Sequence, residues 1–351
     1  METEIVRIDE NNIDYDVIRR GGEILKNGGL VAFPTETVYG LGGDALNPES
    51  SKKIYAAKGR PSDNPLIVHI SNMESLKKIV LSIPEGAYKL ADKYWPGPLT
   101  MIFNKNALVP KETTGGLETV AVRMPSNKTA RALIDAAGGF IAAPSANISG
   151  RPSPTLAKYV IEDMQGRIEM IIDGGASDVG LESTIVDFTE GKPMILRPGY
   201  ITKEMLSETL EEEVPVDRAI IDSSSKIPPK APGMKYRHYA PKGDLVIVEG
   251  DKEKVIEKIN SLAKSDSANG LKVGVITTSE NLDSYKADSV KCTGHAGCEA
   301  ETAHALFRIL REFDEEEVQK IYSESFDEKG VGAAVMNRLI KAAGRQVIKV
   351  D

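Results

Sequence analysis

The stretch DSSSKIPPKAPGMKYRHYAPKGD, Asp222 to Asp244, is rich in proline and serine and carries no apolar periodicity. Such a segment cannot lie inside a packed sheet or helix, so it reads as a linker or an extended arm. It divides the chain into two stretches, each with its own alternation of strand-length and helix-length apolar patterns. With 351 residues and 41% hydrophobic content, both sides can bury a core of ordinary domain size. The expected organisation is a first domain over 1–213, a linker or lid over 214–243, and a second domain over 244–351.

Before the break, apolar spacing predicts a helix from Asp14 to Asn27, followed by a buried strand in GGLVAF. SSKKIYAAK predicts a helix capped near Ser50 or Ser51 and stopped ahead of Pro61, with PLIVHI as the next strand. Further strands are expected at TVAVRM, GFIAAP, EMIIDGG, STIVDF and PMILRPG, with helices at SLKKIVLSI, AYKLADKYW, KTARALIDAAG and TKEMLSETLEEE. Strands outnumber helices, which points to a mixed sheet. After the break, strands and helices alternate, the pattern of a smaller, mostly parallel, doubly wound α/β domain.

The net charge of −8 sets the surface against phosphate backbones, so any nucleotide contact must come from a local site. No apolar run approaches the ~20 residues of a membrane span, and METEIVRIDENN is not a basic-then-apolar leader. The expectation is a soluble cytoplasmic protein that contacts no membrane.

There is no Walker A loop, and GVGAAV from Gly330 lacks a third glycine, so it reads as a helix start. Cys292, His295 and Cys298, with His304 nearby, have spacings from which zinc could be held, but a polar loop is the preferred reading. The first domain says more. FPTETVYGLGGDA offers the Thr35, Thr37 and Tyr39 hydroxyls on a glycine-rich loop, and AAPSANISGRPSPT adds Ser145, Asn147, Ser149 and Ser153 directly after an apolar strand. So polar a loop makes a poor core but a good set of donors around an oxyanion. Arg123 and Arg197 each interrupt a strand-like apolar run, and a buried guanidinium demands a partner such as carboxylate or phosphate. Together with Lys58, Arg60 and His69, these groups predict a concave pocket for a polyanion within an otherwise acidic protein.

PTETVYGLG, the K-x-R of KGRPSDNPL, WPGPLT, VAVRMP, the S-x-N of PSANISG and STIVDF resemble, in order, the YrdC-like domain of threonylcarbamoyl-AMP synthases. APGMKYRHYAP followed by an α/β tail is similar to the long, two-domain form of that family. The resemblance implies a reaction of L-threonine, bicarbonate and ATP to threonylcarbamoyl-AMP and pyrophosphate, the donor for modifying a tRNA adenosine beside the anticodon. It places Thr37, His69, Arg123, Ala143 and Ser183 around L-threonine. It places Arg60, Asn64, Thr119, Ser145, Ser153 and Arg197 around ATP, with Tyr236 of the linker closing over the nucleotide. Lys58 and Asn147 complete the K-x-R and S-x-N pair around bicarbonate and the phosphates. Mg2+ is expected to arrive with the triphosphate, the product to pass to a tRNA-modifying threonylcarbamoyl transferase, and tRNA itself not to bind stably.

Two rivals remain open at this level. A basic concavity could serve an RNA-binding or ribosome-maturation protein without catalysis, although net acidity and the lack of an aromatic platform argue against it. A related enzyme could act on a different amine. The Cys and His of the second domain match no motif of the resemblance.

Overall fold

The computed structural model describes residues 1–217 and 238–351. The first of two compact units runs from the N-terminus through the described residues up to 217, apart from Gly150–Pro152 and Val179–Leu181, which group with the second.

In chain order the first unit comprises β1 (Glu4–Arg7), α1 (Tyr15–Lys26), β2 (Val31–Phe33), β3 (Gly40–Asp44), α2 (Pro48–Lys58), β4 (Ile67–His69), α3 (Met73–Ile79) and α4 (Glu85–Tyr94). It continues with β5 (Leu99–Asn104), β6 (Thr119–Arg123), α5 (Lys128–Ala136), β7 (Ile141–Ala142), α6 (Ala157–Met164), β8 (Met170–Asp173), β9 (Thr184–Asp187), β10 (Met194–Arg197) and α7 (Lys203–Leu210). Its ten strands form one sheet in the order β1-β8-β2-β3-β7-β4-β6-β5-β9-β10, mixing parallel and antiparallel neighbours as the excess of strands predicted.

Capping chemistry sets the helix boundaries. Asp14 accepts from the amides of Asp16 and Val17 and starts α1. For α2 the cap is Asn47, which accepts from the Glu49 amide, with Pro48 in the first turn. The expected cap at Ser50 or Ser51 is therefore corrected: those hydroxyls lie inside the helix and are buried. Neither β1 nor β5 nor α6 was anticipated, and half of the supposed glycine-rich loop is strand β3.

The two faces of the sheet are covered differently, because alternate residues of each strand point to opposite sides. One face carries the main core, where Val68, Met101, Val122 and Val186 meet helical residues such as Ile54, Leu90, Val160 and Leu206. On the other face, α1 and α5 pack Leu25 and Leu133 onto Phe33, Ile141 and Ile172 of strands β2, β7 and β8. Beyond β7 this face holds a separate small cluster, Ile67, Ala121, Ile102, Ile185 and Leu196 on β4, β6, β5, β9 and β10, and no helical residue among the described ones joins it. The helix layer ends where this cluster begins.

The second unit contains β11 (Asp244–Gly250), α8 (Lys252–Ala268), β12 (Val273–Thr277), a 3-10 turn (Ser279–Ser284), β13 (Ser289–Cys292), α9 (Glu299–Glu315), β14 (Lys320–Glu324), α10 (Gly332–Ala342) and β15 (Val347–Val350). Its sheet is parallel throughout, in the order β13-β12-β14-β11-β15. Val255, Ile259 and Ala263 of α8 cover one face, while Phe313 of α9 lies against Gly274 on the other, so the domain is doubly wound as expected. GVGAAV does begin a helix, α10, and the region read as irregular contains β13. Cys292 and Cys298 are free thiols, and His295 contacts the Ser279 hydroxyl at 2.7 Å and Glu280 at 3.2 Å. Among the described residues no group of three or more His, Cys, Asp or Glu side chains is arranged to hold a metal ion.

Candidate active site

Register builds the site. His69 of β4 lies opposite Arg123 of β6, Arg123 opposite Thr100 of β5, Thr100 opposite Ile185 of β9, and Ile185 opposite Arg197 of β10. Residues paired across strands share a face, with neighbours about 5 Å apart. The row therefore crosses the helix-free half of the sheet, and its apolar floor is the small cluster around Ala121 and Ile102. Thr119 stands four residues before Arg123 on the same strand and so on the same face. Arg197 reaches this face through an irregularity in β10: between Ile195 and Arg197 one extra residue slips the register against β9.

Arg123 and His69 are both buried. Glu36 approaches the Arg123 guanidinium at 2.8 Å, yet at an angle too poor for a hydrogen bond, which leaves Arg123 Nε and Nη2 and both Glu36 oxygens without a hydrogen-bond partner. Orphaned polar atoms of that kind are costly and call for a missing partner. Burial first, and then the Arg123 charge, push His69 down to about 3, so its ring is neutral at physiological pH. Nδ1 lies 3.2 Å from the Ile67 carbonyl, and Nδ1–H donating there leaves Nε2 as an acceptor. The Phe33 ring stands edge-on to the imidazole, with centroids 6.3 Å apart.

At the other end of the row, Arg197 donates to the Ser183 carbonyl at 3.0 Å and to its hydroxyl at 3.2 Å, while the Thr100 and Ser183 hydroxyls share a hydrogen at 2.7 Å. A Cβ on Gly199 would meet the Thr184 amide at 2.4 Å, so only glycine allows the RPG turn to pack here. Ser153 donates to Glu182 at 2.6 Å, one residue from Ser183.

The K-x-R and S-x-N motifs lie side by side in the fold. Lys58 ends α2 at the left-handed Gly59 cap, and its ammonium donates to the carbonyls of Ser145 at 2.5 Å and Asn147 at 2.6 Å. Ser145 in turn donates to the Asn147 side chain at 2.5 Å. Arg60 donates to the carbonyls of Asn64 and Pro65 at 3.3 and 3.1 Å, and the buried Asn64 side-chain oxygen has no hydrogen-bond partner. Ala143 joins this loop to the row, since its amide donates to the Ile67 carbonyl at 2.9 Å. Thr37 is fully buried with its hydroxyl 2.9 Å from that of Thr35, next in sequence to Glu36. Tyr236 lies outside the described residues.

The family model described as "Telomere recombination" matches residues 23–199, and the one described as "Threonylcarbamoyl-AMP synthase, C-terminal domain" matches residues 201–344. The chain is 49% identical over 333 residues to the threonylcarbamoyl-AMP synthase of Pyrococcus abyssi, covering 95% of this chain and 96% of that one. It is 47% identical over 343 residues to that of Bacillus subtilis, with 97% of each chain covered. The chain belongs to the threonylcarbamoyl-AMP synthase family. A crystal structure of Pyrococcus abyssi Sua5 complexed with L-threonine overlays with a TM-score of 0.93 at 47% identity, over 99% of this chain and 100% of that one.

Membership in the threonylcarbamoyl-AMP synthase family makes this an enzyme of nucleotidyl transfer, and the RNA-binding alternative is not favoured. Sequence reasoning passed over three groups that the fold brings into the site. Glu36 stands between two threonines with nothing in its local pattern to mark it. Thr100 sits in the unrecognised strand β5, and Glu182 is one of many acidic residues. Among the described residues no helix is long and apolar enough to cross a membrane.

Proposed function

We propose that the first unit converts L-threonine, bicarbonate and ATP into threonylcarbamoyl-AMP and pyrophosphate. The observation that carries this reading is Arg123: a buried guanidinium with unfilled donors, in register with a neutral imidazole acceptor, on an apolar half-face. A small zwitterion complements that arrangement. Its carboxylate pairs with Arg123, and its ammonium or hydroxyl donates to His69 Nε2. The relative solved with L-threonine supports the choice of amino acid. Thr37, Ala143 and Ser183 fill out the threonine end.

The chemistry joins anions to anions. The threonine amine and bicarbonate lose water to give a carbamate, and a carbamate oxygen then attacks the α-phosphorus of ATP. The bond to the β-phosphate breaks and pyrophosphate departs. No side-chain nucleophile is required, so this chain's residues act by position and charge. Lys58, fixed by two carbonyls, keeps a cation beside Ser145 and Asn147, where the carbamate and α-phosphate meet. Arg60, Asn64, Thr119, Ser153 and Arg197 hold the nucleotide, with the orphaned Asn64 oxygen free to accept from the adenine amino group. Mg2+ enters with the triphosphate and offsets its charge. The oxygen donors at the nucleotide end, the Ser153 hydroxyl and the Glu182 carboxylate, are of the hard type this ion accepts. The product passes to a transferase that moves its threonylcarbamoyl group onto tRNA with release of AMP, and this chain works in the cytoplasm.

Pyrophosphate release from ATP across a panel of amino acids, with and without bicarbonate, tests the reading. Release that requires both L-threonine and bicarbonate supports it, whereas release with neither, or with any amine alike, sinks it.

A further inference from the structure

The second unit has a cavity of its own. It measures about 300 Å3 and opens at the carboxyl ends of β11, β12 and β14. In doubly wound sheets ligands bind in the crevice outside those ends, where neighbouring strands send their connections in opposite directions. That condition is met between β12 and β14. The chain leaving β12 runs to β13 on the outer side, while the chain leaving β14 crosses to β15 on the far side.

Two buried side chains give the cavity a chemical preference. Asn281 is 7% exposed and Glu324 is 8% exposed, and both line the cavity. The Asn281 amide nitrogen donates to Glu324 Oε1 at 2.8 Å, which fixes the orientation of the amide. Its oxygen is consequently turned away from the carboxylate, and it has no hydrogen-bond partner. Tyr285 also donates to Glu324 Oε1, at 2.6 Å, whereas among the described residues Oε2 receives only the Thr278 amide at 3.4 Å. Burial and the Glu324 contact raise Tyr285 well above the ordinary phenol value, so its hydroxyl keeps the proton it donates. The floor thus presents acceptors in want of donors.

The charges around it agree. Glu299, Glu324 and Asp327 line the cavity against the ammonium of Lys252 and the imidazole of His295, so its carboxylates outnumber its bases. The first turn of α9 borders the same space, but Glu299 and Glu301 already place negative charge there, which disfavours an anionic ligand.

We propose that this cavity is a second binding site, for a small ligand that bears a primary ammonium or amine, held by Asn281 Oδ1 and Glu324. The site is independent of the reaction assigned to the first unit. Its test is calorimetric titration of the full chain, saturated with L-threonine, using putrescine as the probe. The diol of equal length and succinate serve as neutral and anionic controls. Putrescine is expected to bind at roughly millimolar affinity or better, with both controls at least about tenfold weaker. Asn281→Ala should weaken putrescine about tenfold, and Asp327→Asn, an exposed rim change that leaves Glu324 and its partners in place, should weaken it severalfold while melting like the parent. Equal binding of the diol, preference for succinate, no putrescine binding at all, or affinity untouched by Asp327→Asn in a folded variant overturns the proposal.

Discussion

His69 and Arg123 face each other across β4 and β6, and the arginine that would receive a substrate carboxylate also helps to keep its neighbour uncharged. Were the imidazole protonated, two cations would share one buried half-face and Nε2 would lose its role as acceptor. The pairing therefore ties substrate recognition to a fixed protonation state.

The first expectation concerns pH. With His69 at about 3 in the folded chain and 6.5 when unfolded, the unfolded state binds more protons between those values. Stability from this group is full above about pH 6.5 and falls as the pH drops toward 3, with a limiting slope of about 1.4 kcal/mol per pH unit. Denaturant unfolding of the parent and of His69→Gln across that range should differ by this slope. The His69 ring signals should stay flat between about pH 5 and pH 8; titration inside that range would contradict the buried neutral ring.

Arg123→Ala leaves Glu36 buried without its cation and should destabilise the fold by about 3–5 kcal/mol, with threonine binding lost. Glu36→Gln in the same chain should recover part of that stability but none of the binding. Arg123→Lys should keep more of the stability and still bind L-threonine poorly, because an ammonium lacks the planar fork. Chemical denaturation and calorimetry with L-threonine separate these effects.

Lys58→Ala should lower pyrophosphate release by about 10²–10³-fold while L-threonine binding changes little, since its contacts lie at the S-x-N loop rather than beside Arg123. Arg60→Ala should act mainly through ATP, raising its KM. Near-normal pyrophosphate release by Lys58→Ala, or an unchanged KM for ATP in Arg60→Ala, would remove that residue from the assigned role.

Gly199→Ala drives a methyl group to 2.4 Å from the Thr184 amide, so backbone must move where Arg197 and Ser183 meet. Both melting temperature and turnover should fall. Gly191→Ala is the contrast: its left-handed φ of 83° carries a strain of about 1 kcal/mol, but nothing lies within 4 Å of the new methyl, so activity should survive a modest loss of stability.

Most elements with a helical apolar stripe or a strand-length apolar run were readable from the sequence, and elements without such a signal were not. Asp14 and the spacing of Val17, Ile18 and Leu25 announce α1. By contrast β3 reads GLGGD, where glycine replaces the side chains that would show a strand period, because a Cβ at Gly42 would meet Ile141 and Phe33 at 2.9 Å. Helix α6 has Leu156 at its N-cap and no side-chain cap, so no start signal precedes it. In the site, arginines inside apolar runs were conspicuous because burying a guanidinium is unusual. Glu36 was silent, since an acidic residue in a polar loop is ordinary until the fold lays it against Arg123.

The slipped register in β10 has a consequence for how this part of the chain can vary in length. That strand is the outermost of its sheet and is aligned along one side by β9; losing the extra residue would still leave the arginine opposite Ile185, whereas one residue added after the bulge would carry it past Ile185 and turn it to the opposite side. Insertions should therefore be absorbed in the preceding hairpin turn around Glu190–Lys192 rather than between Ile195 and Arg197, and the spacing from Ile195 to Gly199 behaves as a ruler for the nucleotide end of the site.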